Sequence, residues 1–208
     1  ESMPQQIPQP GLRERKKAAA RANVLAVAHR LFHEQGFDAT TLEQICSEAL
    51  ISKRTFFRYF RDKESLIFPN RDERLAGFIA FLEQHQDVDN PFDSLREATR
   101  FFGGQYNENK RRYLVQQSLI GSSSELRNRE REIDEDWQEA LASALAARAG
   151  TSLASDLWAR VLAGAIMGVV RSTVTFWFEG NCQEDLCELG LDALDYLERG
   201  FPTRAADC

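Results

Sequence analysis

The sequence has few of the residues from which metal and redox sites are built. Among its 208 residues are only 3 histidines and 4 cysteines. The cysteines form no Cys-x-x-Cys pair, which excludes the common zinc and thioredoxin-type motifs. We interpret them as reduced thiols that pack as small hydrophobic residues. Their positions are Cys46, Cys182, Cys187 and Cys208.

Motifs of catalysis and cofactor binding are missing as well. The sequence contains no glycine-rich phosphate loop, zinc-finger spacing or nucleophile elbow. His29 and His33 lie four residues apart, as two metal ligands on a helix can, but they face away from the apolar side of their segment and have no third ligand. We therefore expect no metal and no cofactor. An enzyme that uses a cavity in the C-terminal half stays open as an alternative, although the sequence offers it no catalytic pair.

Long apolar runs and alternating patterns are also absent. No stretch approaches the roughly 18 uninterrupted apolar residues of a membrane span, and the first residues lack the apolar core of a signal peptide. We expect no membrane partner and a cytoplasmic location. No segment alternates apolar and polar residues over the length of a strand, whereas apolar residues recur at helical spacing. The sequence therefore predicts an all-α protein.

Charge is distributed unevenly along the chain, although the net charge is −6. From Arg13 to Lys63 there are 11 Lys or Arg residues and 6 Asp or Glu residues. After Lys63 the corresponding numbers are 15 and 25. The N-terminal segment is therefore basic and the rest of the chain is acidic. This indicates that only the N-terminal segment contacts a polyanion.

Turn and cap signals divide the chain into three parts. Residues 1–12 hold three of the six prolines, so we expect a flexible arm there. A three-helix domain is predicted at 13–61 and a larger helical domain at 62–208. Two helices are predicted from their caps: Ser52 opens one, and Asp62 caps another that begins near Lys63 and is interrupted at Pro69. The other predicted helices are 13–35, 41–49, 91–107, 110–120, 125–149, 153–178 and 183–199.

The first domain contains two short helices with clear start signals. Thr41 and Gln44 form a capping box, and Ser52 is a preferred cap residue for the next helix. On that helix Phe56 and Phe60 share one side, which can bind it to the domain. Arg54 and Arg58 share another side, with Lys53, Thr55 and Tyr59 beside them. This spacing predicts a helix-turn-helix whose second helix lies in the major groove of DNA.

At these residues the sequence resembles the tetracycline-repressor (TetR) family. Residues 41–66 are similar to the DNA-binding signature of that family, and residues 28–41 are similar to its first helix and turn. The resemblance implies a repressor that a small hydrophobic effector releases from a palindromic double-stranded DNA operator in a bacterial cell. It implies DNA contacts at Thr41, Ser52, Lys53, Arg54, Thr55, Arg58, Tyr59 and Lys63.

Four positions depart from the family pattern. Leu50 stands where the turn usually has glycine; a left-handed conformation there would cost leucine about 1 kcal/mol more than glycine. Phe57 replaces a common phosphate-binding tyrosine, and Tyr59 replaces a frequent histidine whose contact it is expected to take over. Cys46 replaces a usual alanine, which we interpret as packing.

The end of the chain predicts a two-fold dimer with a second copy of itself. Residues 153–178 carry more apolar side chains than one face of a helix needs, and leucines of 183–199 form a second apolar seam. Two such helices from each chain would form a four-helix bundle, which the family resemblance also implies. Burial of both helices within one chain stays open. The expected interface residues are Trp158, Leu162, Ile166, Val170, Leu186 and Leu194.

The second domain is rich in aromatic residues, which predicts an apolar binding site for the effector. Simple filling of a core explains the same residues and stays open. Because acidic residues exceed basic ones, a highly anionic effector is less natural than a neutral, cationic or lipid-like one, although Lys110, Arg111 and Arg112 can meet a carboxylate or phosphate. The expected ligand contacts are Phe78, Phe101, Phe102, Tyr106, Tyr113, Gln117, Trp137, Thr173 and Trp177.

Two further functions remain compatible with the sequence. A DNA-binding activator would have the same motif, so the residues do not separate activation from repression. A helical adaptor that binds only protein is the alternative of another class, but the basic first domain argues against it. The effector and the operator sequence are not encoded in any motif.

Overall fold

The computed structural model describes residues 11–69, 71–84 and 90–200, and these residues form helices and turns without a strand. The all-α prediction is therefore confirmed. The chain divides into two compact units between residues 69 and 70. Residues 1–10 of the expected arm lie outside the described residues, and the first helix begins at Leu12.

The first unit contains α1 (Leu12–Gln35), α2 (Leu42–Glu48) and α3 (Lys53–Phe57). Its core is formed by apolar side chains from all three helices. The capping box opens α2, because Thr41 Oγ1 accepts a hydrogen bond from the Gln44 N–H at 3.2 Å while the Gln44 carboxamide oxygen accepts one from the Thr41 N–H at 2.9 Å. The buried residues include Val24, Ala28, Phe32, Ile45, Phe56 and Phe60.

The segment predicted as a helix from Lys63 to an interruption at Pro69 is shorter than a regular helix. Residues Glu64–Leu66 form only a 3₁₀ turn, which Asp62 caps by accepting a hydrogen bond from the Ser65 N–H at 2.8 Å. Pro69 disfavours helical backbone at the residue before it and removes one N–H. The turn nevertheless belongs to the first unit because Leu66 and Ile67 are buried. That unit thus extends to Pro69 rather than ending at residue 61.

The second unit contains six helices in its described part. Its main core combines side chains of the first, second, fourth, fifth and sixth of them, among them Phe78, Leu95, Leu141, Ala163 and Leu194. A smaller cluster forms around Trp177, Cys182 and Leu186. The helices are α4 (Arg71–Gln84), α5 (Pro91–Glu108), α6 (Lys110–Ser122), α7 (Ser124–Arg148), α8 (Leu157–Glu179) and α9 (Leu186–Arg199).

The last two helices begin later than predicted. Asp156 caps α8 by accepting a hydrogen bond from the Ala159 N–H at 2.9 Å, and Asp185 caps α9 by accepting one from the Cys187 N–H at 2.7 Å. An aspartate at this position satisfies backbone donors that a helix start leaves free, so the helix begins after it. By length and composition alone α8 would be able to cross a membrane, but its buried side packs in the protein core.

Helices α5 and α9 are joined by ion pairs and pack closely beside them. Arg96 forms ion pairs with Asp195 at 2.6 Å and with Glu198, and these carboxylates raise the pKa of the guanidinium above its ordinary value. Farther along, a Cβ atom on Gly190 would lie 2.6 Å from Thr99 Cγ2. A larger residue at position 190 would therefore require the Thr99 side chain to move.

Candidate nucleic-acid interface and effector region

The recognition helix α3 is fixed to the first unit by aromatic packing. Phe56 is fully buried, and its ring centroid lies 5.3 Å from that of buried Phe60. Ser52 caps the helix by accepting a hydrogen bond from the Thr55 N–H at 3.1 Å. Phe57, by contrast, has 55% of its surface exposed. The helix thus has one buried aromatic side and one side open to a partner.

The open side carries most of the expected DNA contacts. Thr41, Ser52, Lys53, Arg54 and Arg58 are exposed, and Thr55 and Tyr59 are half-buried. Arg58 Nη2 donates a hydrogen bond to the Tyr59 hydroxyl at 2.9 Å, and its guanidinium carbon lies 4.8 Å from the centre of the Tyr59 ring. The two side chains therefore form a paired group on this surface.

An acidic residue accompanies this basic surface. Glu43 of α2 forms an ion pair with Lys53 of α3, and the hydrogen bond from Lys53 is the main reason why the pKa of Glu43 lies below its ordinary value. The spacing of ten residues follows no helical period, so the sequence pattern did not reveal the pair.

Lys63 has a different environment from the one expected. Its ammonium group donates hydrogen bonds to the carbonyl oxygens of Phe37 at 3.0 Å and Thr40 at 3.2 Å, and it lies 4.0 Å from the centre of the Phe37 ring. An ammonium group has three N–H donors. Two of them hold the turn between α1 and α2 rather than pointing freely to a phosphate.

In the turn before α3, Leu50 has the left-handed backbone conformation whose cost was considered above. Leu50 has a φ of +56°, in the left-handed region, and its side chain is 90% exposed. Leucine gains no packing there to offset a strain of about 1 kcal/mol. The turn is held by a hydrogen bond from the Ile51 N–H to the Cys46 carbonyl at 3.0 Å.

The residues expected to contact the effector differ in how deeply they are buried. Phe78 and Trp177 belong to the two cores, and Trp177 Nε1 donates to the Glu184 carbonyl at 2.9 Å. Trp137 and Phe102 pack against Phe78. Phe101 is 58% exposed, so its assignment to an interior site was wrong. The remaining expected residues are half-buried: Tyr106, Tyr113, Gln117 and Thr173.

The second unit contains partly buried charged residues that the sequence analysis did not identify. Charged residues on a helix usually indicate exposure to solvent. On α4, Arg74 lies beside Tyr106, with its guanidinium carbon 6.0 Å from the ring centre. On α7, half-buried Glu130 and Asp134 have pKa values above their ordinary ones, chiefly because burial disfavours their charge. Arg171 lies 3.8 Å from Asp134 and opposes this effect there.

The expected dimer residues separate into two groups. Trp158 and Val170 are exposed and Leu162 is half-buried, which leaves them accessible to a partner. Assignment of the others to an interface was wrong, because their own chain buries them: Ile166, Leu186 and Leu194. The structure adds exposed apolar residues of α8 that were not in the expected set: Leu157, Val161 and Phe176.

No group of three or more potential metal-ligating side chains occurs among the residues that the structure describes. His29 Nε2 instead lies 3.0 Å from the Leu66 carbonyl oxygen, within hydrogen-bond distance.

Comparison with known proteins assigns this arrangement to a family. Residues 24–68 match the model of the bacterial regulatory proteins of the tetR family, and residues 89–202 match the model described as the MftR C-terminal domain. The chain belongs to the TetR family. It is a transcriptional regulator with a DNA-binding helix-turn-helix, not an enzyme.

A curated relative and two solved structures illustrate the similarity. The regulator is 28% identical to the HTH-type transcriptional regulator TcmR of Streptomyces glaucescens over 81% of this chain and 77% of that protein. FadR of Bacillus subtilis in complex with stearoyl-CoA has a TM-score of 0.59 at 21% identity, with 87% and 99% of the two chains covered. The SmeT–triclosan complex from Stenotrophomonas maltophilia has a TM-score of 0.61 at 19% identity, with 90% and 93% covered. These two structures show the shared fold.

Proposed function

We propose that this TetR-family regulator is a dimeric cytoplasmic repressor that binds a near-palindromic operator and leaves it when an effector binds in the second unit. The observation that carries the proposal is the recognition helix, which is anchored by Phe56 and presents basic side chains on its open side. A buried aromatic anchor fixes the helix so that its exposed donors can meet DNA in one register.

Arg54 and Arg58 are our candidates for reading bases. Arg54 lies in α3 and Arg58 is the residue that caps its end, and both are exposed. Arginine donates two parallel hydrogen bonds to guanine, and such a contact is worth about 1–3 kcal/mol. Thr41, Ser52 and Tyr59 carry hydroxyl groups that suit phosphate oxygens, which position the protein without reading sequence.

A second copy of the chain is our proposed occupant of the apolar stripe on α8. Leu157, Val161 and Phe176 share one side of that helix with small residues between them. Exposed apolar residues that share one side of a helix are typical of an interaction site. Val170 is nine residues, or about two and a half turns, after Val161, so it lies on the other side of α8. We therefore place the centre of the interface on the stripe.

The effector is proposed to be an apolar or amphiphilic small molecule. Support comes from the half-buried aromatic residues of the second unit and from the ligands named for the two structural neighbours, stearoyl-CoA and triclosan. A ligand that binds better to the form with low DNA affinity lowers operator affinity by the same preference. Such coupling is typically about 1–3 kcal/mol.

Footprinting on the DNA beside the gene of this protein tests the proposal. We expect a protected, near-palindromic site and an affinity that falls steeply with salt. Arg54→Ala or Arg58→Ala should weaken specific binding by about 1–3 kcal/mol, whereas Arg148→Ala on α7 should leave it unchanged. An operator affinity that stays the same in both the Arg54 and the Arg58 variant would contradict the assignment. Transcription from the same DNA in vitro shows whether the bound protein represses.

A further inference from the structure

Two guanidinium groups lie one turn apart on α4 and are not used by the DNA-binding surface. Arg71 and Arg74 are both half-buried. Arg71 pairs with Asp136 through Nη2, yet its Nε is buried and has no hydrogen-bond partner. A buried N–H without an acceptor is costly. Its presence therefore points to an acceptor that a bound molecule would supply.

Arg74 lies among phenol rings rather than carboxylates. Its described neighbours are Tyr106, whose ring centre lies 6.0 Å from the guanidinium carbon, and Tyr113. Burial lowers the pKa of Arg74, but the two phenol groups raise it by more, so the group remains a cation. No carboxylate among the described residues forms an ion pair with Arg74. A half-buried cation without such a partner is suited to binding an anion.

Aromatic surface lies directly beside this cation. Tyr106 and Tyr113 are stacked with ring centroids 3.9 Å apart and an angle of 9° between their planes. The centroid of Trp177 lies 6.2 Å from that of Tyr106. Burial raises the pKa of Tyr113, which keeps its hydroxyl a neutral donor at neutral pH. One region thus combines cationic and hydroxyl donors with apolar rings.

We propose that Arg71 and Arg74, with the hydroxyls of Tyr106 and Tyr113, bind a carboxylate of the effector while the aromatic rings contact its apolar body. The inference deepens the proposed function and rests on it, because it names the chemical class of the effector. It reverses the expectation from overall charge, because Arg74 is a cation that no described carboxylate neutralises, although Asp136 pairs with Arg71 and the unit as a whole is acidic. Glu130 and Asp134 would instead favour a cationic molecule, which the test includes.

Three probes with the same tail and different head groups test the proposal: dodecanoate, methyl dodecanoate and dodecylamine, each below its micelle concentration. Binding to the full chain is followed by isothermal titration calorimetry. We expect dodecanoate to bind at least about tenfold more tightly than the ester or the amine, which is the effect of one charged hydrogen-bonded contact. In the same preparations, dodecanoate should weaken operator binding.

Matched variants locate the contact. Arg74→Met should lose the preference for the acid, whereas Arg100→Met, an exposed change on α5, should keep it. Tyr106→Phe retains the ring and should lower acid affinity several-fold, which keeps the test valid if Arg74→Met does not fold.

The contrary outcomes are distinct. Ester or amine binding as tight as that of the acid, an unchanged acid affinity in Arg74→Met, or no binding of any probe overturns the inference. Operator binding without probes, measured on the same preparations, decides the proposed function separately.

Discussion

Lys53 at the start of the recognition helix is paired with Glu43 of the preceding helix. The pair places a carboxylate beside the side chain that would otherwise be the first cation to meet a phosphate. We infer that Glu43 limits binding to DNA of any sequence, because Lys53 must leave its partner before it can neutralise a phosphate. Base contacts by the arginines would then contribute a larger share of the affinity.

Glu43→Gln should therefore raise affinity for non-operator DNA. Release of Lys53 adds about one phosphate contact, so the slope of log K against log salt should become steeper by about 0.9. Gel shifts on unrelated DNA at several salt concentrations measure both effects. Glu48→Gln is the matched control, since Glu48 ends α2 and pairs with Arg30 of α1. An unchanged slope in Glu43→Gln would refute the inference.

Lys63→Met should weaken binding to every DNA sequence without changing the salt dependence. Its ammonium holds the Phe37 and Thr40 carbonyls, so its loss disturbs the turn that positions α2. Loss of these charged hydrogen bonds should cost about 1–2 kcal/mol of folding free energy, seen as a lower Tm. Lys53→Met in the Glu43→Gln background is the comparison, because there the removal of a phosphate contact makes the salt slope shallower by about 1. If Lys63→Met makes the salt slope shallower and leaves the Tm unchanged, Lys63 contacts a phosphate and the structural explanation is wrong.

Leu50→Gly should stabilise the protein. Glycine adopts the left-handed conformation without strain, although it adds freedom to the unfolded chain, so the net gain should be about 0.5–1 kcal/mol. Denaturant titration measures it. Leu50→Ala retains the strain and removes the same exposed side chain. If it stabilises as much as glycine, the backbone explanation fails.

Val161→Glu should convert the dimer to a monomer, because it places a charge within the apolar stripe of α8. Val161 is 62% exposed in the single chain, and Val115 on α6 is 47% exposed. Val115→Glu is thus the same change at a similar exposure outside the stripe. Sedimentation at micromolar concentration distinguishes the two variants. A wild-type monomer, or dissociation by both changes, would argue against the stripe.

Glu130→Gln should raise the Tm at neutral pH. Burial raises the pKa of Glu130 in the folded state, so the unfolded chain binds fewer protons between the two pKa values and stability falls as the pH rises through that window. The benefit of glutamine should disappear below the ordinary pKa of a glutamate. Glu139→Gln, on the exposed side of α7, is the matched control. Parallel Tm profiles of the two variants would refute the argument.

The sequence predicted the parts of the fold that depend on local chemistry. The Thr41 capping box and the Ser52 cap follow from residues within a few positions of one another. In contrast, α8 is apolar on several sides, and periodicity alone does not show which side meets its own core. For that reason Ile166 was assigned to the interface and Val161 was not.

Ion pairs between residues far apart in the chain could not be predicted from the sequence either. Arg71 and Asp136 are separated by 65 positions, and their pairing depends on how α4 packs against α7. Lys63 shows the same limit at shorter range, because its partners are backbone carbonyls that carry no residue-specific signal.

The close contact between α5 and α9 has a consequence for motion within the second unit. Thr99 meets Gly190 at one place, and Arg96 joins Asp195 and Glu198 at another. Sliding one helix past the other by a turn would separate these ion pairs. We therefore expect the two helices to move together. An effector that reaches Arg74 would therefore act by shifting α4, α6 or α7 against an α5–α9 frame that stays fixed.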